Sequence, residues 1–353
     1  MNKSRWTLAV PMIAMFIVAC GPTVTANRPL TSTSPSAGRN AATTAASPLP
    51  SANATAATSP AGLTCRLPVA TTDNNGQIQQ AGFLTFPSGT FAPDPRATIK
   101  PKAIGDGIAF DRGYNKWLPV SWRLVSDDGS HYVYADYPNP DPTASGAHSV
   151  IHIVNVGTGA DRVLTQTGQY IIIDYSRNGV YLTQWMGGHD GPGPQIEWAL
   201  NPSTGAVTSL PGGGKYGYWV AGGAGWRTDY NTADPTVHNG PTGGNRLTRV
   251  DLATGGETTW VYQQGADWVQ VMGFDLKGHP IVEVGVGNQI TIWLLTDSVH
   301  RTQITAGPAN YGWALGDSNG IWLSGVDGTY FYTPAAGLQK MSSTGGLIAG
   351  GCH

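Results

Sequence analysis

The sequence predicts an all-β chain, a β-propeller, and three observations predict it. Glycine is 48 of 353 residues, while charged residues are only 12%, against about 25% in a typical soluble domain. Short apolar runs of period two recur between tight turns, and no stretch carries a convincing helical period. The turns themselves recur: Gly159, Gly205 and Gly255 stand 46 and 50 residues apart. Four short strands per 40–50 residues is the pattern of a propeller blade. The same composition excludes other classes. Lys+Arg (20) nearly balances Asp+Glu (22), so the chain lacks the cationic excess of a nucleic-acid binder. It also lacks the Ala, Glu, Lys and Leu wealth of a helical bundle.

The first element, residues 1–19, reads as an address. Lys3 and Arg5 precede a run from Trp6 to Ala19 that is apolar except for Thr7. That run is too short to span a bilayer and fits the apolar core of a secretory signal. It ends in Ile17-Val18-Ala19-Cys20-Gly21, which resembles the bacterial lipoprotein signal, with Val18 a mild departure from the usual small residue. The resemblance implies that Cys20 becomes a diacylglyceryl cysteine anchored in the membrane on the extracytoplasmic side of the cell envelope. The alternative is an ordinary secretory signal. Gly21 in place of Asp implies no retention of the proteobacterial kind. Removing Lys3 and Arg5 takes the net charge from −2 to −4.

Residues 20–62 form the second element, a tether. From Gly21 to Gly62, all but Val24, Arg28, Leu30, Arg39 and Leu49 are Ala, Thr, Ser, Pro, Gly or Asn. Such a segment cannot bury enough apolar surface to offset its chain entropy, so a disordered linker is expected. The remaining cysteines, Cys65 and Cys352, bracket the third element, the body 63–353. Outside the membrane a disulfide between them is permitted. The alternative is two unpaired thiols.

In the body, a turn leads into an alternating strand several times. Ser126-Asp127-Asp128-Gly129 precedes Tyr132-Val133-Tyr134, and Ser176-Arg177-Asn178-Gly179 precedes Val180-Tyr181-Leu182. Asp275-Leu276-Lys277-Gly278 and Asp317-Ser318-Asn319-Gly320 repeat the pattern. A second turn follows each time, as at Val156-Gly157-Thr158-Gly159 and Leu252-Ala253-Thr254-Gly255. The spacing favours six blades, with seven as runner-up. One blade is split: residues 65–94 supply three outer strands, and 346–352 supply the inner one, which sets Cys352 opposite Cys65. The segment from Ser126 to Ala135 resembles the Ser-Pro-Asp-Gly repeat of TolB-like, WD40-like propellers. That resemblance implies architecture, and mostly interaction modules, but no particular activity.

Familiar chemical motifs give little. Gly316-Asp317-Ser318-Asn319-Gly320 matches a nucleophile elbow by letter, but it is in phase with the repeat turn and precedes a strand, so Ser318 is not read as catalytic. His148 and His152 share one strand face without a third ligand, so neither a metal nor a cofactor is expected. Trp117, Tyr170, Trp219, Trp268 and Trp313 are placed near the starts of inner strands, as packing between blades or as platforms for a sugar. The long links are 93–116, 137–147, 186–195 and 230–244, and alternation of the connections puts them on one face. Long loops on a rigid scaffold tend to carry function. The candidate binding face is therefore Asp136, Tyr137, His189, Asp190, Trp226, Arg227, Asp229, Tyr230 and His238. The expected function is an anchored binding module for a protein or glycan. The alternatives are a propeller hydrolase or lyase acting on a carbohydrate or lactone, and a structural envelope protein.

Overall fold

The computed structural model describes residues 62–73, 76–97, 100–102, 107–138, 146–184, 198–211, 219–229, 244–307 and 311–353. Cys20, the signal and the tether lie outside them, as do His189, Asp190, Tyr230 and His238.

Local turn chemistry cuts the body into strands. Asn155, Asn201 and Asp251 each accept backbone N–H bonds from residues two or three positions ahead. Gly159, Gly205 and Gly255 follow at φ +72°, +80° and +70°, where any Cβ is strained. Between these turns the strands pair antiparallel in chain order. The first sheet holds Cys65–Thr72 (β1), Ile78–Phe86 (β2) and Thr90–Pro93 (β3). A hairpin follows, Ala109–Asp111 (β4) with Lys116–Leu118 (β5). A 3-10 turn at Trp122–Leu124 then leads to Val125, which bridges Tyr132 at the edge of the second sheet. That sheet is His131–Asp136 (β6), His148–Asn155 (β7) and Asp161–Thr167 (β8).

The later sheets have four strands each. The third is Tyr170–Ser176 (β9), Gly179–Gln184 (β10), Trp198–Leu200 (β11) and Val207–Ser209 (β12). The fourth is Trp219–Ala221 (β13), Ala224–Asp229 (β14), Arg246–Asp251 (β15) and Glu257–Tyr262 (β16). The fifth is Trp268–Phe274 (β17), Pro280–Val286 (β18), Gln289–Leu295 (β19) and Arg301–Gly307 (β20). The sixth is Tyr311–Gly316 (β21), Ile321–Gly325 (β22), Gly328–Thr333 (β23) and Gly337–Ser342 (β24). The inner strands of the last two sheets also pair with each other, in parallel, at Gly273↔Ala314 and Phe274↔Leu315. A Cβ on Gly273 would collide with the Ala314 carbonyl, so glycine permits this approach.

The core lies between sheets, not within one. Val133 and Ile151 meet Val180 and Leu200; Ile173 and Tyr181 meet Val220 and Val250. Trp226 and Leu247 meet Val269 and Val282, and Met272 and Ile281 meet Ala314 and Leu323. Trp322, Phe331 and Met341 of the sixth sheet then meet Leu67, Leu84 and Phe86 of the first. Each fully buried side chain of this size contributes roughly 1.5–3 kcal/mol. Sheets packed face to face, with the last against the first, make a β-propeller.

The two ends of the body meet as the sequence predicts. Leu347–Ile348 (β25) adds antiparallel to β1, at Val69↔Ile348 and Ala70↔Leu347. Pairing continues to the last residue, where Arg66 N–H donates to the His353 carbonyl (2.8 Å) and His353 N–H to that of Arg66 (3.1 Å). Cys65 and Cys352 are disulfide-bonded, their Cα atoms 5.6 Å apart. One expectation fails. Trp117 does not start an inner strand but lies on β5, within the hairpin that β4 forms with it. Asp111 caps the hairpin turn by accepting the Tyr114 N–H (2.9 Å), Asn115 takes φ 50°, and Pro119 follows the last strand residue. A proline has no N–H with which to extend the ladder.

Candidate binding site on the axis

Two indoles near the starts of inner strands meet. Trp219 of β13 and Trp313 of β21 lie with ring centroids 5.5 Å apart at 59°. They belong to the fourth and sixth sheets, which are not neighbours, so the contact spans the axis. The Arg123 guanidinium, from the 3-10 turn beside the second sheet, lies 4.0 Å from the Trp219 ring centroid. Arg123 Nε is 3.7 Å from a carboxylate oxygen of Asp174 on β9. Side chains from four parts of the ring thus form one column: Asp174, Arg123, Trp219, Trp313.

The column is graded from dry to wet. Asp174 is buried, and burial outweighs the Arg123 guanidinium to push its carboxyl up to about 7. Trp219 is half-buried and also packs edge-on against Phe274. Trp313 is 46% exposed. Its backbone sits where the β21–β22 register shifts between Tyr311 and Ala314. The buried Ser324 hydroxyl accepts the Trp313 N–H (2.8 Å) and donates to the Trp313 carbonyl (3.3 Å).

A second polar group lies on β17 and β18. Gln270 is the cross-strand partner of Glu283, and Trp268 of Gly285. Glu283 Oε1 accepts the Trp268 indole N–H (2.8 Å) and the Gln270 amide (3.1 Å). A Cβ on Gly285 would strike the Trp268 ring, so the glycine makes the floor on which the indole lies. Burial raises the Glu283 carboxyl above the usual carboxylate range, although both hydrogen bonds act to lower it.

The residues named from sequence are placed differently from one another. Asp136 is exposed and lies 3.3 Å from His152 Nε2, whose Nδ1 is 2.8 Å from Asp161. The His152 ring stacks on Tyr134 at 4.4 Å. Tyr137 packs on the core and donates its hydroxyl to the Tyr170 carbonyl (2.8 Å). Trp226 is a core residue, 2% exposed, and its ring meets Trp260 edge-on at 4.6 Å. Period two along β14 turns it toward the fifth sheet, which removes it from the binding face. Arg227 bridges Asp229 (2.8 Å) and Glu257 (3.1 Å), and Asp229 also pairs with Arg246. This network lies on the opposite side of β14 from Trp226. Ser318 lies exposed in a strand–turn–strand link. Among the described residues, no three His, Cys, Asp or Glu side chains group as metal ligands.

Sequence reasoning missed Arg123, Asp174, Glu283 and Ser324. Three of them leave a signal, since Asp174, Glu283 and Ser324 are polar letters inside the apolar runs Ile171–Tyr175, Ile281–Val284 and Ile321–Ser324.

No family model matches the chain, and no curated protein matches it. Several solved structures are similar at low identity. A chain of a nidogen–laminin complex is 11% identical over 76% of this chain and 89% of that one, with a TM-score of 0.38. The periplasmic gluconolactonase of Pseudomonas aeruginosa is 10% identical over 79% and 82%, with a TM-score of 0.35. The Swd1 β-propeller domain of Myceliophteria thermophila is 8% identical over 77% and 84%, with a TM-score of 0.30. Likeness at this level carries no functional argument, and the fold rests on the strand pairing itself.

Proposed function

We propose that this chain is a lipid-anchored, extracytoplasmic, six-bladed β-propeller that recognises a protein or glycan of the envelope. The ligand engages the face where the inner strands begin and the long links lie. One observation carries the reading: a column of side chains from four parts of the ring ends in an exposed indole on the axis. A protein that used its axis only for packing would bury that ring, since an indole is among the largest apolar surfaces a chain can hide. Recognition is favoured over hydrolysis by the same column. Glycoside cleavage needs two carboxyl groups set across one bond, and among the described residues this column holds one, matched by a guanidinium.

The anchor and the face are tested separately. Cells fed a labelled fatty acid are expected to label the wild-type chain and leave Cys20→Ser unlabelled and released from membranes. Label on the Cys20→Ser chain contradicts lipidation at that residue. For the face, links 186–195 and 230–244 are replaced by short turns, and capture of envelope components is compared. Loss of capture at an unchanged melting temperature is expected, and undiminished capture contradicts the reading.

A further inference from the structure

Trp313 is held in a way that packing alone does not require. Strand pairing is interrupted around it, and such bulges re-aim a side chain. The buried Ser324 hydroxyl takes over both backbone groups that the ladder leaves there. Gly312 clears the space for that hydroxyl, because a Cβ at this position would come within 2.9 Å of Ser324 Oγ. The neighbouring Trp219 ring supports the indole, and Arg123 stacked on Trp219 completes the support. The ring is thus fixed by its backbone and by its neighbours while 46% of the residue stays open.

We propose that Trp313 is a stacking platform for an uncharged pyranose ring of a glycan. The proposal rests on the recognition reading above and gives it a ligand class. Two features favour a sugar over a protein surface. The residues on either side of Trp313 add no apolar surface, since Gly312 has no side chain and Ala314 is buried. A protein partner needs a broader apolar core around its anchor residue. No cation of the described residues lies over the Trp313 ring; Arg123 lies on Trp219 instead. Among the described residues, the open surface offers an aromatic face without a charge, which suits the apolar C–H face of a neutral sugar.

The full lipidated chain in nanodiscs is titrated with maltohexaose, cellohexaose, laminarihexaose and chitohexaose, read by tryptophan fluorescence and calorimetry. At least one is expected to bind. Trp313→Ala is expected to weaken it about tenfold or more, as loss of one aromatic contact does, with an unchanged melting temperature. Trp313→Phe is expected to stay within about threefold, because a ring face remains. Binding by none of the four, or equal binding by Trp313→Ala, overturns the proposal. If an envelope protein is captured by the wild type and lost with Trp313→Ala while no sugar binds, the sugar is overturned and recognition at this face stands. If capture ignores both Trp313 and the long links, the recognition reading falls as well.

Discussion

Asp174 ties the axis to pH. In the unfolded chain its carboxyl titrates near 3.8, and in the folded chain near 7. The folded state therefore binds the extra proton between these values, so this residue's contribution to stability declines as pH rises from about 4 to 7. The full span is worth roughly 4 kcal/mol at most. Asp174→Asn is expected to remove that slope, read as the wild-type minus variant difference in urea midpoint at pH 4.5 and 7.5. Equal differences at the two pH values contradict the assignment. Of the axial residues, Trp219 and Trp313 were legible as recurring aromatics at the starts of strands. Their meeting was not, nor was the place of Arg123, because the contact joins parts of the chain 94 residues apart (219 to 313) through ring closure. Trp226 shows the converse: its proximity to a long link suggested the surface, but alternation along β14 buries it.

At the scale of elements, the turns were legible because each is a local event. An Asn or Asp side chain bonds its own backbone, and a glycine accepts positive φ. The β4–β5 hairpin was not, since its residues carry no repeat and its place depends on Phe110 N–H donating to the Ala349 carbonyl (2.7 Å), far along the chain. Asp317 joins the two scales. Its Oδ1 caps the β21–β22 turn through Asn319 N–H (2.7 Å), while Oδ2 accepts the Trp322 indole (2.7 Å) and the Cys352 N–H (2.8 Å). A repeat turn has thus become the latch for the last residues. Asp317→Ala is expected to cost roughly 1.5–3 kcal/mol, the range for hydrogen bonds to a charged group, and to raise the fraction of free thiol in the purified protein. An unchanged urea midpoint with full disulfide formation contradicts the latch. On the neighbouring sheet, Gly285→Ala is expected to displace the Trp268 ring, seen as a change in near-ultraviolet circular dichroism, and an identical spectrum contradicts that packing.

For the molecule as a whole, closure is the organising event. From the second sheet to the sixth each packs on the next, the β4–β5 hairpin packs on both the first and the second, and the sixth packs on the first, so an open ring would leave the Trp322–Phe331 face and the Leu67–Phe86 face without a partner. Strand pairing, the Cys65–Cys352 bond and Asp317 all act at that one seam. The bond spans 287 residues, and a loop of that length is worth roughly 5 kcal/mol in the chain-entropy account. Cys352→Ser is therefore expected to lower the melting temperature markedly under non-reducing conditions, and an unchanged value contradicts a stabilising bridge. The seam was legible because Cys65 and Cys352 stand at opposite ends of the body. The closed ring is what brings Asp174, Arg123, Trp219 and Trp313 to one line, and the proposed recognition site stands at the exposed end of that line. That site is tested by a photo-reactive phenylalanine placed at position 313 and, separately, at Leu276, which is 71% exposed in a turn on the opposite face. Irradiated in intact cells, the chain is predicted to form envelope adducts from position 313 and none from position 276. Adducts from 276 alone, or equally from both, would contradict a recognition site at Trp313.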